Sequence, residues 1–165
     1  MKKYFSFIMM AMLMALPLVF AGCSSDDDDD ENGGEGGSGK IESVANLSGS
    51  QMVGTWRCIS NYVKSTANGK VILEETDTEI GSTLVISQTE ENAGTMFSTS
   101  VKDGYEETVD WKIESGMFWT KSDGDWTPKY VTELSGTRMT MVTDIRFEDD
   151  GIYTAYSKVV LERVR

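Results

Sequence analysis

Few side chains in this chain can do chemistry, and their types narrow the options. It holds two cysteines, Cys23 and Cys58, and no histidine. Without imidazole there is no Ser–His or Cys–His nucleophile pair, no His-containing zinc site, and none of the usual general base. Cys58 lies in an apolar-alternating segment, the setting of a buried, inert thiol rather than of an activated nucleophile. Carboxylates number 27, but no two stand out from the surface acids as an acid/base pair, so glycoside hydrolysis has no anchor. Asp123-Gly124-Asp125 and Glu148-Asp149-Asp150-Gly151 have calcium-loop residue types without EF-hand spacing, and read as hairpin turns. The Asp26–Asp30 run would collect divalent cations only loosely, as any polyanion does. The expectation is a protein that is not an enzyme and that carries no cofactor or metal.

The amino terminus reads as an address. Lys2 and Lys3 precede an apolar segment from Tyr4 to Phe20, which closes on Phe20-Ala21-Gly22-Cys23. That segment is marginal for a bilayer span of about 20 residues and is punctuated by Ser6 and Pro17, so residues 1–22 read as a cleaved leader. The small residues before Cys23 resemble the lipobox of bacterial lipoproteins, with Phe20 where Leu is usual. The resemblance implies that Cys23 becomes the first residue of the mature chain and carries lipid (palmitate among its acyl chains), which holds the protein to a membrane. Cys58 then has no partner and stays a free thiol despite an oxidising compartment. Ser24, not Asp, follows the cysteine, so nothing resembles an inner-membrane retention signal. The Ser-Ser-Asp run resembles the acidic export tag of certain Gram-negative surface lipoproteins. It implies an outer membrane lipoprotein exposed at the cell surface, with the periplasmic face as the alternative. An ordinary signal peptide and a merely solvated spacer are the plainer readings.

The formal net charge is −12, and loss of Lys2 and Lys3 makes the mature chain two charges more negative. Asp26 to Glu31 supply a good part of it. Arg138 and Arg146 are isolated, and no Lys/Arg cluster tracks phosphates, so nucleic acid is not an expected partner. Residues 23–45 form the lipidated tether, acidic and then Gly-rich (Gly33, Gly34, Gly36, Gly37, Gly39), with too little apolar surface to fold. Residues 46–165 are long enough for one modest core and too short for two.

Within that unit the signals are almost all β. Period-two alternation rich in Val, Thr, Ile, Tyr and Trp predicts strands at about 53–63, 70–76, 82–88, 95–101, 105–114, 117–121, 126–134, 137–144 and 152–163. Asn68-Gly69, Asp103-Gly104, Asp123-Gly124 and Asp150-Gly151 supply the positive φ of tight hairpin turns, which favours a meander of antiparallel neighbours. Only the segment before Val53 could hold a helical turn, with Ser48 or Ser50 as N-cap. Val109, Trp111 and Ile113 share one face, and Tyr153, Ala155, Val159 and Leu161 another. One apolar and one wet face over eight or nine strands leaves edges to be managed. Closing the meander into a barrel removes them; a two-sheet sandwich is the competing architecture.

Val53-Gly54-Thr55-Trp56, a Gly-x-Trp at the start of the first strand, resembles the hallmark of the lipocalin and fatty-acid-binding (calycin) superfamily. More closely, the chain resembles small lipocalin-like domains on bacterial lipoproteins. The resemblance implies an antiparallel up-and-down meander closed into a lipocalin-like β-barrel of about eight strands. It also implies that Trp56 closes the barrel floor under an Arg from the last strand. Arg163 shares a face with Leu161 and takes that part, with Arg165 in reserve. Gly54, Trp56 and Arg163 are thus assigned to barrel closure. The Arg-x-Tyr that clamps a carboxylate in fatty-acid-binding members is replaced by Arg163-Val164-Arg165, so no carboxylate clamp is carried over. Thr143-Asp144-Ile145 matches a lipocalin Thr-Asp-Tyr only in part, and no carboxy-terminal helix follows the last strand.

A barrel this small either fills with side chains or keeps room for one small ligand. Trp111, Ile113, Met139, Met141 and Tyr153 are the candidate cavity residues, with methionines able to repack around an apolar guest. Their plainer role is simply the core. The leading expectation is non-catalytic binding of a small apolar ligand. The alternative is a structural or interaction module with a filled barrel that docks another envelope protein.

Overall fold

The computed structural model describes residues 40–148 and 151–164. The leader 1–22, Cys23, the acidic and Gly-rich tether to Gly39, Asp149, Asp150 and Arg165 lie outside the described residues. The predicted alternation becomes nine strands after one helical turn, α1 (Gly49–Met52). They are β1 (Gly54–Ala67), β2 (Lys70–Thr76), β3 (Thr83–Glu90), β4 (Ala93–Thr99), β5 (Glu106–Glu114), β6 (Met117–Ser122), β7 (Asp125–Leu134), β8 (Arg138–Glu148) and β9 (Ile152–Arg163). All pairings are antiparallel, and β9 returns to β1 along eleven paired positions from Trp56↔Arg163 to Ala67↔Tyr153. Eight strands form the closed barrel and β2 is an extra one. Closure removes most of the free sheet edge that a half-apolar meander would leave.

One connection departs from a strict meander. β2 and β3 do not pair with each other; both lie antiparallel to β1, β2 along Tyr62–Ala67 and β3 along Gly54–Arg57. The intervening segment 77–82 is tied to β1 rather than turned back. The Asp77 amide donates to the Asn61 carbonyl (2.7 Å), the Gly81 amide to the Cys58 carbonyl (2.9 Å), and the Cys58 amide to the Ser82 carbonyl (2.8 Å). Asp77 Oδ1 accepts from Ser60 Oγ (2.9 Å) and the Asn61 amide (3.0 Å). These bonds surround a bulge in β1 between Cys58 and Ser60, which resets the alternation. Trp56 and Cys58 are buried before it, Asn61 and Ser65 after it.

Asn68-Gly69, Ser115-Gly116 and Asp123-Gly124 have positive φ at both residues, as two-residue hairpin turns of right-handed twist require. Asp103-Gly104 sits in a longer loop, with positive φ at Gly104, and Asp150 lies outside the described residues. A Cβ on Gly151 would crowd the Asn68 amide at 2.9 Å, so close approach is what that position demands.

The turns define two ends. Toward one lie α1 and the links 91–92, 115–116 and 135–137; toward the other lie 68–69, 100–105, 123–124 and the β8–β9 link. The α1 end is solid, with Met52, Trp56, Ile86, Trp111, Phe118, Val131 and Met139 all within 1 % of full burial. Ahead of α1, the Val44 amide donates to the Val131 carbonyl (2.7 Å) and Ser43 Oγ accepts from the Val131 amide (3.2 Å). The chain is therefore fastened to β7 upstream of residue 46.

Candidate functional site

At the α1 end, Trp56 and Arg163 face each other across the β1–β9 pair, so their side chains share the inner face. The Arg163 guanidinium carbon lies 4.2 Å from the centroid of the Trp56 ring. Its Nη1 and Nη2 donate to the carbonyls of Val53 (2.6 Å) and Gln51 (2.9 Å). The Trp56 indole donates to the Met52 carbonyl (2.8 Å). One arginine thus covers the ring and satisfies carbonyls that a four-residue helix leaves without partners, while the stacking adds roughly 0.5–2 kcal/mol. Gly54 has φ +139°, and a Cβ there would collide with Arg163 Nη1. The glycine of Gly-x-Trp is needed both for its backbone and for the space. Ser48 caps α1, its amide bonded to Gln51 Oε1 (3.0 Å).

Above this floor the barrel is hollow. A cavity of about 220 Å³ lies among β1, β3, β4, β5, β7, β8 and β9, toward the end opposite α1. Its wall is mainly apolar, with Val63, Leu84, Met96, Met141, Ile145 and Val159. Of the five residues expected around a ligand, Met141 lines it. Trp111 is 1 % exposed in the solid floor, its indole N–H shared between the carbonyls of Ser87 (3.0 Å) and Thr95 (3.1 Å), its ring tilted against Phe118. Met139 is fully buried beside it, and Ile113 packs on the same cluster. Tyr153 stacks on Phe147 at 5.1 Å, paired with it near the far ends of β8 and β9. Alternation places these side chains on the inner face but does not give their height, and height separates floor from cavity.

The cavity also holds polar residues that the sequence reading did not single out: Asn61, Ser65, Glu79, Ser98, Glu107 and Lys129. Lys129 is 8 % exposed, and its Nζ donates to Thr143 Oγ1 (3.3 Å). Burial pushes its pKa down from 10.5 to about 8, with the Glu107 carboxylate pulling the other way. Glu79 Oε2 accepts from Ser82 Oγ (2.6 Å) and Ser100 Oγ (2.9 Å), while its Oε1 is buried with no hydrogen-bond partner. Ser65 Oγ is buried and without a partner as well. Asn61 is fixed by the 77–82 segment, its Oδ1 accepting from the Glu79 amide (2.8 Å). Cys58 is buried and lines the cavity; burial raises its thiol to about 11, with Glu79 and Asp77 adding to the effect, so it is neutral at pH 7. Two of these residues had a readable signal. Lys129 shares the parity of Thr127 and Val131, and Glu107 that of Val109 and Trp111. The bulge in β1 hid Ser65.

No protein-family model matches the chain, and no curated protein matches it. Among solved structures it is similar to an S-type phycobiliprotein lyase from Guillardia theta, at 10% identity and a TM-score of 0.32, covering 73% of this chain and 94% of that one. That protein is named a lyase, and with this finding the expectation that the chain is not an enzyme is corrected; the likeness carries no reaction over to it. The physical flaw in that expectation was its reliance on histidine. A buried lysine is another source of base and nucleophile. The eight-stranded closed barrel, with one solid and one hollow end, fits a lipocalin-like domain.

Proposed function

We propose that this protein binds one small, mainly apolar molecule in the upper half of its barrel and presents that barrel on the outer membrane through lipid at Cys23. The observation that carries the reading is the cavity of about 220 Å³, apolar along most of its wall and polar at a few fixed points. An engineered apolar cavity of about 150 Å³ holds benzene, so this one suits a single substituted ring or a branched short chain. A sterol or a long fatty acid would have to extend beyond it. Ser65 Oγ and Glu79 Oε1, buried without partners, are the groups that a ligand donor would satisfy. The leader, the small residues before Cys23 and the acidic run after it support anchoring and surface display.

The test is calorimetry on the chain from Cys23 onward, with Cys23→Ser so that no lipid is attached. Single-ring aromatics and short branched compounds are titrated beside long fatty acids and sterols. Saturable one-to-one binding of the small set, lost in a cavity-filling Met141→Trp variant, is the expected result. No saturation by any compound overturns the reading. Labelled palmitate incorporated into the wild-type chain and not into Cys23→Ala tests the anchor.

A second reading, docking to another envelope protein, is favoured by β2. Among the described residues it pairs only with β1, and Val71 and Ile72 on it are 52% and 55% exposed, with Ile80 and Val101 exposed as well. An edge strand of this kind can accept a further strand from a partner.

A further inference from the structure

The cavity contains an amine where a plain hydrophobic pocket would need none. Lys129 sits mid-strand on β7, buried to 8 % exposure, with Thr143 Oγ1 at 3.3 Å and Glu107 lining the same space. The three charged residues of the lining are Glu79, Glu107 and Lys129, which together leave the cavity with one net negative charge if all are ionised. That balance disfavours an anionic guest at the lysine, since a carboxylate ligand would meet two carboxylates and one ammonium. A neutral guest with a polarised oxygen suits it better. A desolvated lysine amine facing an apolar cavity is also the arrangement that lets nitrogen add to a carbonyl carbon.

We propose that Lys129 captures a small aldehyde or ketone, no larger than one substituted ring, as a reversible Schiff base inside the barrel. The inference rests on the cavity-binding reading above and names the ligand class. In the step, the neutral Nζ donates its electron pair to the carbonyl carbon and a C–N bond forms. A proton passes from nitrogen to the former carbonyl oxygen, giving a carbinolamine. Protonation of that hydroxyl lets it leave as water while C=N forms and nitrogen releases its remaining proton. Amine and carbonyl become imine and water, with no oxidant or reductant required. Thr143 Oγ1 and the Glu107 carboxylate are the lining groups placed to relay those protons. Nζ already hydrogen-bonds Thr143, which orients it along the wall.

The experiment uses the unlipidated chain from Cys23 onward, benzaldehyde, and cyanoborohydride to trap any imine as a benzyl amine, with the site read by peptide mass spectrometry at pH 7.4. A pKa of about 8, against the ordinary lysine value of 10.5, gives Lys129 an enlarged neutral fraction at this pH. Its labelling is therefore expected to run at least tenfold faster than that of the exposed Lys158 or Lys70, and to be absent in Lys129→Met. The site map of the wild-type chain decides the matter by itself if the variant does not fold. Benzaldehyde binding that saturates in calorimetry, with label only on surface lysines, overturns the Schiff base and leaves the binding reading intact. Neither saturation nor label at Lys129 overturns both.

Discussion

Replacing Lys129 by Met should change how stability depends on pH, and the structure sets the sign and size of the change. The Lys129 amine has a folded pKa of about 8 against an ordinary 10.5. Between those values the unfolded chain holds the proton that the folded chain has released, so wild-type stability rises with pH. The gain is absent below pH 8, where both states are protonated, and complete above 10.5. It amounts to about 1 kcal/mol between pH 7 and pH 9 and about 3 kcal/mol in all. Met has no proton to release, so the difference between wild type and variant isolates this slope. The titratable groups that line the cavity with Lys129 are Glu107, Glu79, Cys58 and Tyr156. Cys58, which lines the same cavity, has an effect of the opposite sign: a thiol raised from 9.0 to about 11 loses stability as pH rises through that interval. Readings at pH 7, 8 and 9 avoid most of it. The assay is urea denaturation of both proteins followed by tryptophan fluorescence. The Lys129→Met variant should be the more stable protein at pH 7, with its advantage shrinking by about 1 kcal/mol at pH 9. Parallel pH profiles for the two proteins would refute the desolvated amine, and the accelerated labelling expected of it would lose its basis.

Further expectations can be checked with the same protein. Trp56→Ala empties the centre of the floor and should destabilise the fold by about 3–5 kcal/mol in denaturant melts. Gly54→Ala should cost about 1–3 kcal/mol, because it forces a side chain onto a positive φ and into Arg163; a melt matching wild type would show that the contact is not tight. Met141→Trp should abolish binding of a single-ring ligand with a loss of less than about 3 kcal/mol, since it fills existing space. Cys58 should resist iodoacetamide at pH 8 in the native protein and react once it unfolds, because its thiol is both covered and neutral; equal rates in the two states would contradict that.

The strands were legible because period-two alternation and Asn-Gly or Asp-Gly turns are local signals, and their bounds match those found to within about four residues. The pairing of Trp56 with Arg163 was legible from the resemblance and from the parity of Leu161. What escaped depends on distance. The β2–β3 connection reads locally as another hairpin, yet hydrogen bonds from Asp77 and Gly81 to β1 hold the chain in its original direction. The bulge between Cys58 and Ser60 shifts the parity of everything after it, so Ser65 faces inward against the simple count. Trp111 and Met139 were placed on the correct face at an unknown height. Their positions within a few residues of the 115–116 and 135–137 links, on the α1 side, put them in the floor. Lys129 was passed over because lysine was read as a solvated residue, although its neighbours two places away, Thr127 and Val131, face the interior with it.

That division by height separates two functions that usually compete in a small barrel. Trp56, Met52, Phe118, Trp111 and Met139 make one dry cluster at the α1 end, and Arg163 stitches α1 to the first and last strands over it. Stability can be supplied there by burial and packing alone. The other end is then free to carry unsatisfied oxygens, a buried amine and empty space, each of which costs stability and none of which the floor needs. Lys129 is the sharpest case, since a Met in its place would keep the volume and remove the desolvation penalty. A residue whose conservative replacement should stabilise the protein is hard to explain by folding, and its place in a ligand-sized cavity gives it another reason to be there.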